Sequence, residues 1–213
     1  MRNSLTLRLE SIFFHYDLLS QLNISGQGKK SSNLGHGSAM SVALRQEFLF
    51  DSIIFNTISF FDYLSCFISF IIFNDKKSQW QSIANSARTQ LAFKETEIAK
   101  TTDNLDRVFV SKLNQYRSEL IHYSKGIVGF STSFDLKQGI EKIEVFAPLG
   151  FNKKFKKEFK NLDKKELNLN TVIIWMLDII TEETARLMVN IEDYIESNRV
   201  IPKGKEIIKF KNE

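Results

Sequence analysis

The chain has 213 residues, 43% of them hydrophobic and 25% charged, a composition that fits one globular domain and excludes a disordered, collagenous or coiled-coil chain. Two prolines and nine glycines favour helices, and 19 phenylalanines promise an aromatic-rich core. The formal net charge of +4 permits an anionic partner without demanding one.

The N-terminus carries Arg2, Arg8, Glu10 and Asp17 and lacks the apolar stretch of a signal peptide. Leu5, Leu7, Ile12, Phe13, Tyr16, Leu18 and Leu19 recur at helical spacing and predict a first amphipathic helix over 4–22. Ile24 to Ser38 holds four glycines with Lys29, Lys30 and His36, and is expected to be a flexible basic loop. A second helix is predicted from Ser38 or Ser41 to Asn74. Its seam of Phe50, Ile53, Ile54, Thr57, Phe60, Phe61, Leu64, Phe67, Ile68 and Ile71 keeps helical period, and small residues such as Ser52, Asn56, Ser59, Cys66 and Ser69 line the other side. Eight phenylalanines lie in 48–73, so the aromatic excess is expected to belong largely to this helix.

The same stretch tests for a membrane span. Its longest uncharged run, Tyr63 to Asn74, has 12 residues against the roughly 20 a spanning helix needs. An Asp near the centre costs about 3 kcal/mol on insertion scales, offsetting about six strongly apolar residues. A buried core helix is the better reading, and membrane spanning is disfavoured.

A break at Asn74 to Lys77 precedes a polar third helix over 78–98, expected at the surface. Thr101, Thr102 and Asp103 offer N-caps for a fourth helix from Asn104 to Ser124, with Gly126 as its C-terminal cap. Ile127 to Pro148 switches to β-branched and aromatic residues around a turn at 135–139, which predicts a β-hairpin. Asn152 to Glu166 carries seven lysines against three acids. Lys153, Lys154, Lys156 and Lys157 are candidates for phosphate contacts, with Phe155 and Phe159 interleaved for anchoring or stacking. A last helix is predicted over Thr171 to Asn198, before Pro202 and a loose basic tail over 203–213. The fold class is therefore mostly α with a small hairpin, in one domain over 1–202. Three basic segments, the Gly-rich loop, 152–166 and the tail, surround a slightly acidic helical body.

Single Cys66 excludes an internal disulfide framework. With only His15, His36 and His122 beside it, no usual structural zinc site can form, so no metal or cofactor is expected and a reducing, cytoplasmic setting fits. Gly26 to Ser32 fails as a phosphate-binding loop because Asn23 stands at its first glycine position and Lys30 where the hydroxyl belongs. Gly129 to Ser133 lacks the last glycine of a nucleophile elbow.

One constellation carries chemistry: Arg117 and His122, near the end of the fourth helix. Five positions apart they lie about 140° apart on a regular helix, so they share a pocket only if His122 sits where the helix ends. Arg117 would then neutralise charge on phosphoryl oxygens and His122 would transfer a proton, the two roles that an RNA 2′-hydroxyl attacking its own phosphate needs. The plain structural alternative makes Arg117 an ion-pair partner of Glu119, Asp103 or Asp106 and His122 a helix-end cap. Asp62, in the second helix, is either a buried acid bonded to Ser59, Tyr63 or Ser65, or a group that orients Arg117 or His122.

Arg, four residues and His at a helix end, after a long apolar helix with an internal acid, resembles the HEPN superfamily. The resemblance covers about residues 40–126. It implies a bundle with two long antiparallel helices and dimerisation through the motif helices into a composite site. It further implies metal-independent endoribonuclease activity in toxin-antitoxin, abortive-infection or CRISPR-linked defence, leaving a 2′,3′-cyclic phosphate. Some members bind RNA or nucleotides without cleaving. The site implied is Arg117 and His122, supported by Ser118, Glu119, Tyr123 and Asp62, with RNA, a second copy and an antitoxin or defence partner as partners. Ser118 stands where active members often carry Asn, Asp or His, and Ser124 where those paired with a nucleotidyltransferase antitoxin carry Tyr. The alternative to an enzyme is a non-catalytic helical protein- or RNA-binding module docking through the Phe-rich helix at Phe67 and Ile68.

Overall fold

The computed structural model describes residues 2–26, 36–75, 79–122, 130–135, 140–159 and 167–198. It is mostly helical, with a single two-stranded antiparallel sheet among those residues. Helix α1 (Arg2–Gly26) runs antiparallel to α2 (His36–Phe73). At one end Arg8 donates to Asn56 at 3.1 Å, and at the other Leu18 and Leu22 border Arg45 and Phe48. Every seam position of α2 is buried except Phe67, which is partly covered. The polar positions are absorbed in two ways: Asn56 and Tyr63 meet Arg8, and buried Thr57 donates back to the Ile53 carbonyl at 2.8 Å. On α1, Ile12 and Leu19 are buried as expected, but Leu7 and Phe13 face outward.

From Met40 to Phe73, α2 is long and apolar enough to cross a membrane by length and composition. More than half of its most apolar stretch is buried inside the protein, as a core helix would be. The helix stops at Asn74, whose φ of 52° is left-handed and whose N–H donates to the Phe70 carbonyl at 3.0 Å. Asn tolerates that conformation better than most residues, which explains the break there.

Two boundaries beyond it differ from expectation. Helix α3 (Trp80–Thr89) ends early, a single turn α4 (Leu91–Lys94) follows, and α5 (Glu97–Leu105) starts before the predicted cap residues. Its N-cap is Thr96, whose hydroxyl accepts from the Ala99 N–H at 3.1 Å. Thr101 and Asp103 lie inside α5, with side chains spent on distant partners: Thr101 accepts from Asn190 at 2.9 Å, and Asp103 binds Arg88 and Arg107. Nor is α3 merely a surface element, since Trp80, Ile83, Ala84 and Ala87 are buried.

A π-helical turn, Asp106–Val110, joins α5 to α6 (Ser111–His122), making one long helix antiparallel to α2. Phe61 meets Phe109 at 6.1 Å between ring centroids, and Phe50 meets Tyr116 at 6.3 Å. The last helix, α8 (Leu169–Asn198), also runs antiparallel to this one, with Trp175 on Phe109 and Asn190 on Thr101.

Strands β1 (Phe130–Asp135) and β2 (Ile140–Val145) pair from Phe130 with Val145 to Asp135 with Ile140, the predicted hairpin. Its turn at 136–139, Gly126 and the tail lie outside the described residues. The Gly-rich loop is shorter than expected, because Ile24 to Gly26 continue α1 and His36 to Ser38 already belong to α2, and its centre, 27–35, also lies outside them. Helix α7 (Leu149–Lys154) then corrects the reading of the lysine-rich stretch. Phe151, Phe155 and Phe159 are buried, with Phe151 on Phe155 at 4.6 Å and Trp175 against Phe155 and Phe159 at 5.2 and 4.7 Å. The two phenylalanines anchor and do not stack on a ligand, and the aromatic excess is shared by α2, α7 and the π turn.

Candidate functional site

The floor of the site is built around Trp80. Its backbone N–H donates to Asp62 of α2 at 2.8 Å, and its indole N–H donates to Asp106 of the π turn at 3.1 Å. Asp106 is 2% exposed, and its other oxygen accepts from Arg88. Arg88 also donates through Nε to Asp103 at 2.5 Å, and Arg107 pairs with the same Asp103 at 2.8 Å. A carboxylate can be buried here because both of its oxygens are bonded. The hydrogen bond to Asp106 holds the Arg88 guanidinium above its ordinary range.

These pairs decide the position of Arg117. Of its three expected acidic partners, Asp103 and Asp106 are held by Arg88 and Arg107, while Glu119 accepts from Lys154 at 2.6 Å. The Arg117 guanidinium lies 5.5 Å over the Phe55 ring, and its Nε is buried with no hydrogen-bond partner among the described residues. Asp62 supplies the nearby negative charge. Burial raises the Asp62 carboxyl above its usual range, while the Trp80 N–H and then Arg117 pull it back. Asp62 is thus bonded to Trp80 and not to Ser59, Tyr63 or Ser65, the partners expected in its own helix.

Three adjoining hollows surround this group. A cavity of about 160 Å³ lies between Asp62, Trp80, Asn114 and Arg117. Beside it, a more open concavity of about 490 Å³ is lined by Arg117, Ser118, Ile121, His122 and Gln81. A third, of about 610 Å³, gathers Arg88, Arg107, Lys112 and Lys154. Gln81 and Ser111 border all three.

Arg117, Ser118 and His122 therefore share one concavity, with Asp62 on the far side of Arg117. His122 is exposed and is the last described residue of α6 (Ser111–His122), on the same concavity as Arg117. Glu119 is turned to Lys154, and its Oε2 lies 3.4 Å from where a Cβ on Gly150 would stand, so α7 packs closely there. Tyr123 lies outside the described residues. Lys153, Lys156 and Lys157 are exposed, whereas Lys154 is engaged by Glu119. Trp80 and Arg88 escape the sequence, and Asp106 is assigned there to Arg117, because the true pairings span 15 to 26 residues. Neither does any pattern announce the π turn, a feature that often accompanies functional sites.

Among the described residues no group of three or more His, Cys, Asp or Glu is placed to hold a metal ion. Comparison with protein-family models, curated proteins and solved structures finds no match. What the geometry offers is a guanidinium with a buried, unspent N–H and a solvent-facing imidazole on one wall. That pair can bridge a phosphodiester, one group meeting its oxygens and the other moving a proton.

Proposed function

We propose that the chain is a HEPN-type endoribonuclease that works without a metal, as a homodimer in a defence or toxin-antitoxin setting. The observation that supports this reading is the state of Arg117: its candidate acidic partners are bound to other cations, and it shares a concavity with exposed His122. In the reaction, one His122 takes the proton from an RNA 2′-hydroxyl as its oxygen attacks the adjacent phosphorus. Arg117 stabilises charge on the non-bridging oxygens, and the bond to the 5′-oxygen breaks, giving a 2′,3′-cyclic phosphate. The leaving oxygen receives a proton from a second imidazole, the role of His122 in the other copy. Exposed Lys153, Lys156 and Lys157 provide sequence-independent phosphate contacts. Mixed RNA incubated with purified protein in EDTA tests the reading. Fragments should form with wild type, and RNA that stays intact at micromolar protein overturns it.

A second reading, a helical interaction module, is favoured by a different observation. Leu18, Leu22, Phe48 and Leu49 line an apolar groove of about 510 Å³ between α1 and α2, and Phe48 is 66% exposed. Phe67 and Ile68 do not form that surface, because Ile68 is fully buried and Phe67 partly so. Under this reading Phe48→Glu abolishes the biological effect and Arg117→Ala leaves it intact. The ribonuclease reading expects Arg117→Ala to abolish it.

A further inference from the structure

Across the concavity from Arg117 and His122 stands Gln81. The other described lining residues all lie between Ser111 and His122 of α6, so among the described residues Gln81 alone faces them from another helix. It is exposed, yet its place is fixed, because its neighbour Trp80 is fastened through its backbone to Asp62 and through its indole to Asp106. The side chain is also oriented: Nε2 donates to Asn85 at 3.2 Å, and among the described residues the amide oxygen and one N–H are left to meet a ligand.

We infer that Gln81 is a specificity-determining residue that reads the base next to the phosphate held by Arg117 and His122. This rests on the ribonuclease reading. The hollow, about 490 Å³, lies within the range of small-ligand pockets and has room for a nucleotide. With the phosphate on α6, the base is directed across the gap. An amide presenting one acceptor beside one donor matches the paired donor and acceptor on an unpaired base edge. Ile121, 55% exposed in the same concavity, gives the base an apolar surface to lie on. A base must be splayed from its stack to enter, so the target is unpaired RNA at that position.

The test maps cleavage positions on mixed RNA by sequencing fragment ends for wild type, Gln81→Ala and Gln81→Glu, with thermal midpoints recorded for each. Wild type should show a nucleotide preference beside the cut. In Gln81→Ala, cleavage at favoured sites should fall about tenfold towards the rate at disfavoured ones. Gln81→Glu, which keeps an acceptor and loses the donor, should favour a different base. An unchanged pattern in both variants overturns the role of Gln81 while leaving the ribonuclease reading in place. Equal loss of cleavage at every site at unchanged thermal midpoint also overturns it, because the residue would then serve the chemistry. If wild type leaves all RNA intact, the ribonuclease reading itself fails.

Discussion

The backbone N–H of Trp80 donates to Asp62 at 2.8 Å, and this bond ties the start of α3 to the middle of α2 beside the Arg117 guanidinium. Asp62 is therefore half of a positioning device. It is held by a group that does not titrate while it faces one that stays charged.

That placement gives a pH dependence. Burial raises the Asp62 carboxyl above its ordinary 3.8, so the folded state holds its proton to a higher pH than the unfolded state does. Stability from this group is flat well below 3.8, falls as pH rises from there to the raised value, and is flat again above. Asp62→Asn keeps an acceptor for Trp80 and removes the titration. The wild-type thermal midpoint minus that of Asp62→Asn should fall as pH rises across the acidic range. Parallel curves would contradict the burial of this carboxyl.

Asp106 carries more structural weight. Removing it as Asp106→Ala strands the Trp80 indole N–H and takes one partner from Arg88, so urea unfolding should show a loss of about 3 kcal/mol. This is the low end for a broken buried pair, because Arg88 is partly exposed and keeps Asp103. Trp80→Phe should cost about 1 to 2 kcal/mol, since only one donor to Asp106 is lost. A change under 0.5 kcal/mol in Asp106→Ala would show that the network adds little.

The lysine-rich stretch separates packing from binding within a few residues. Phe155→Ala opens a cavity in the aromatic core and should cost about 3 to 5 kcal/mol. Replacing Lys153, Lys156 and Lys157 together with Ala should leave stability within about 0.5 kcal/mol per site. It should lower the dependence of RNA affinity on log salt by about 2, as expected for three phosphate contacts on a single strand. Lys154→Ala should have a smaller effect on that slope, because Glu119 already pairs with it.

The contrast between neighbouring phenylalanines and lysines shows what a sequence exposes. Phe151, Phe155 and Phe159 recur every four residues from the edge of the basic run into it, a core signal in plain view that the lysine count obscured. The α2 seam was legible over its whole length because burial there follows strict helical period, and the stop at Asn74 followed from a residue that accepts left-handed backbone. The start of α5 was not legible: Thr101, Thr102 and Asp103 look like caps, and Thr101 and Asp103 instead bind Asn190, Arg88 and Arg107. In the candidate site, Arg117 and His122 were visible as residue types at a spacing. The Trp80 clamp, the diversion of Glu119 to Lys154 and the facing wall at Gln81 were not, because long-range pairing creates them.

Single-turnover cleavage of end-labelled RNA in EDTA, comparing wild type with Arg117→Ala and His122→Ala, bears most directly on the role of the shared concavity. His122 is exposed, so His122→Ala should keep its thermal midpoint, while Arg117→Ala gives up the contact with Phe55 and is assayed below its own midpoint. Wild type should release fragments ending in 2′,3′-cyclic phosphate, and each variant should lose about a hundredfold or more in rate. Cyclic-phosphate fragments formed equally fast by His122→Ala, or RNA left whole by wild type, would contradict a ribonuclease built on Arg117 and His122.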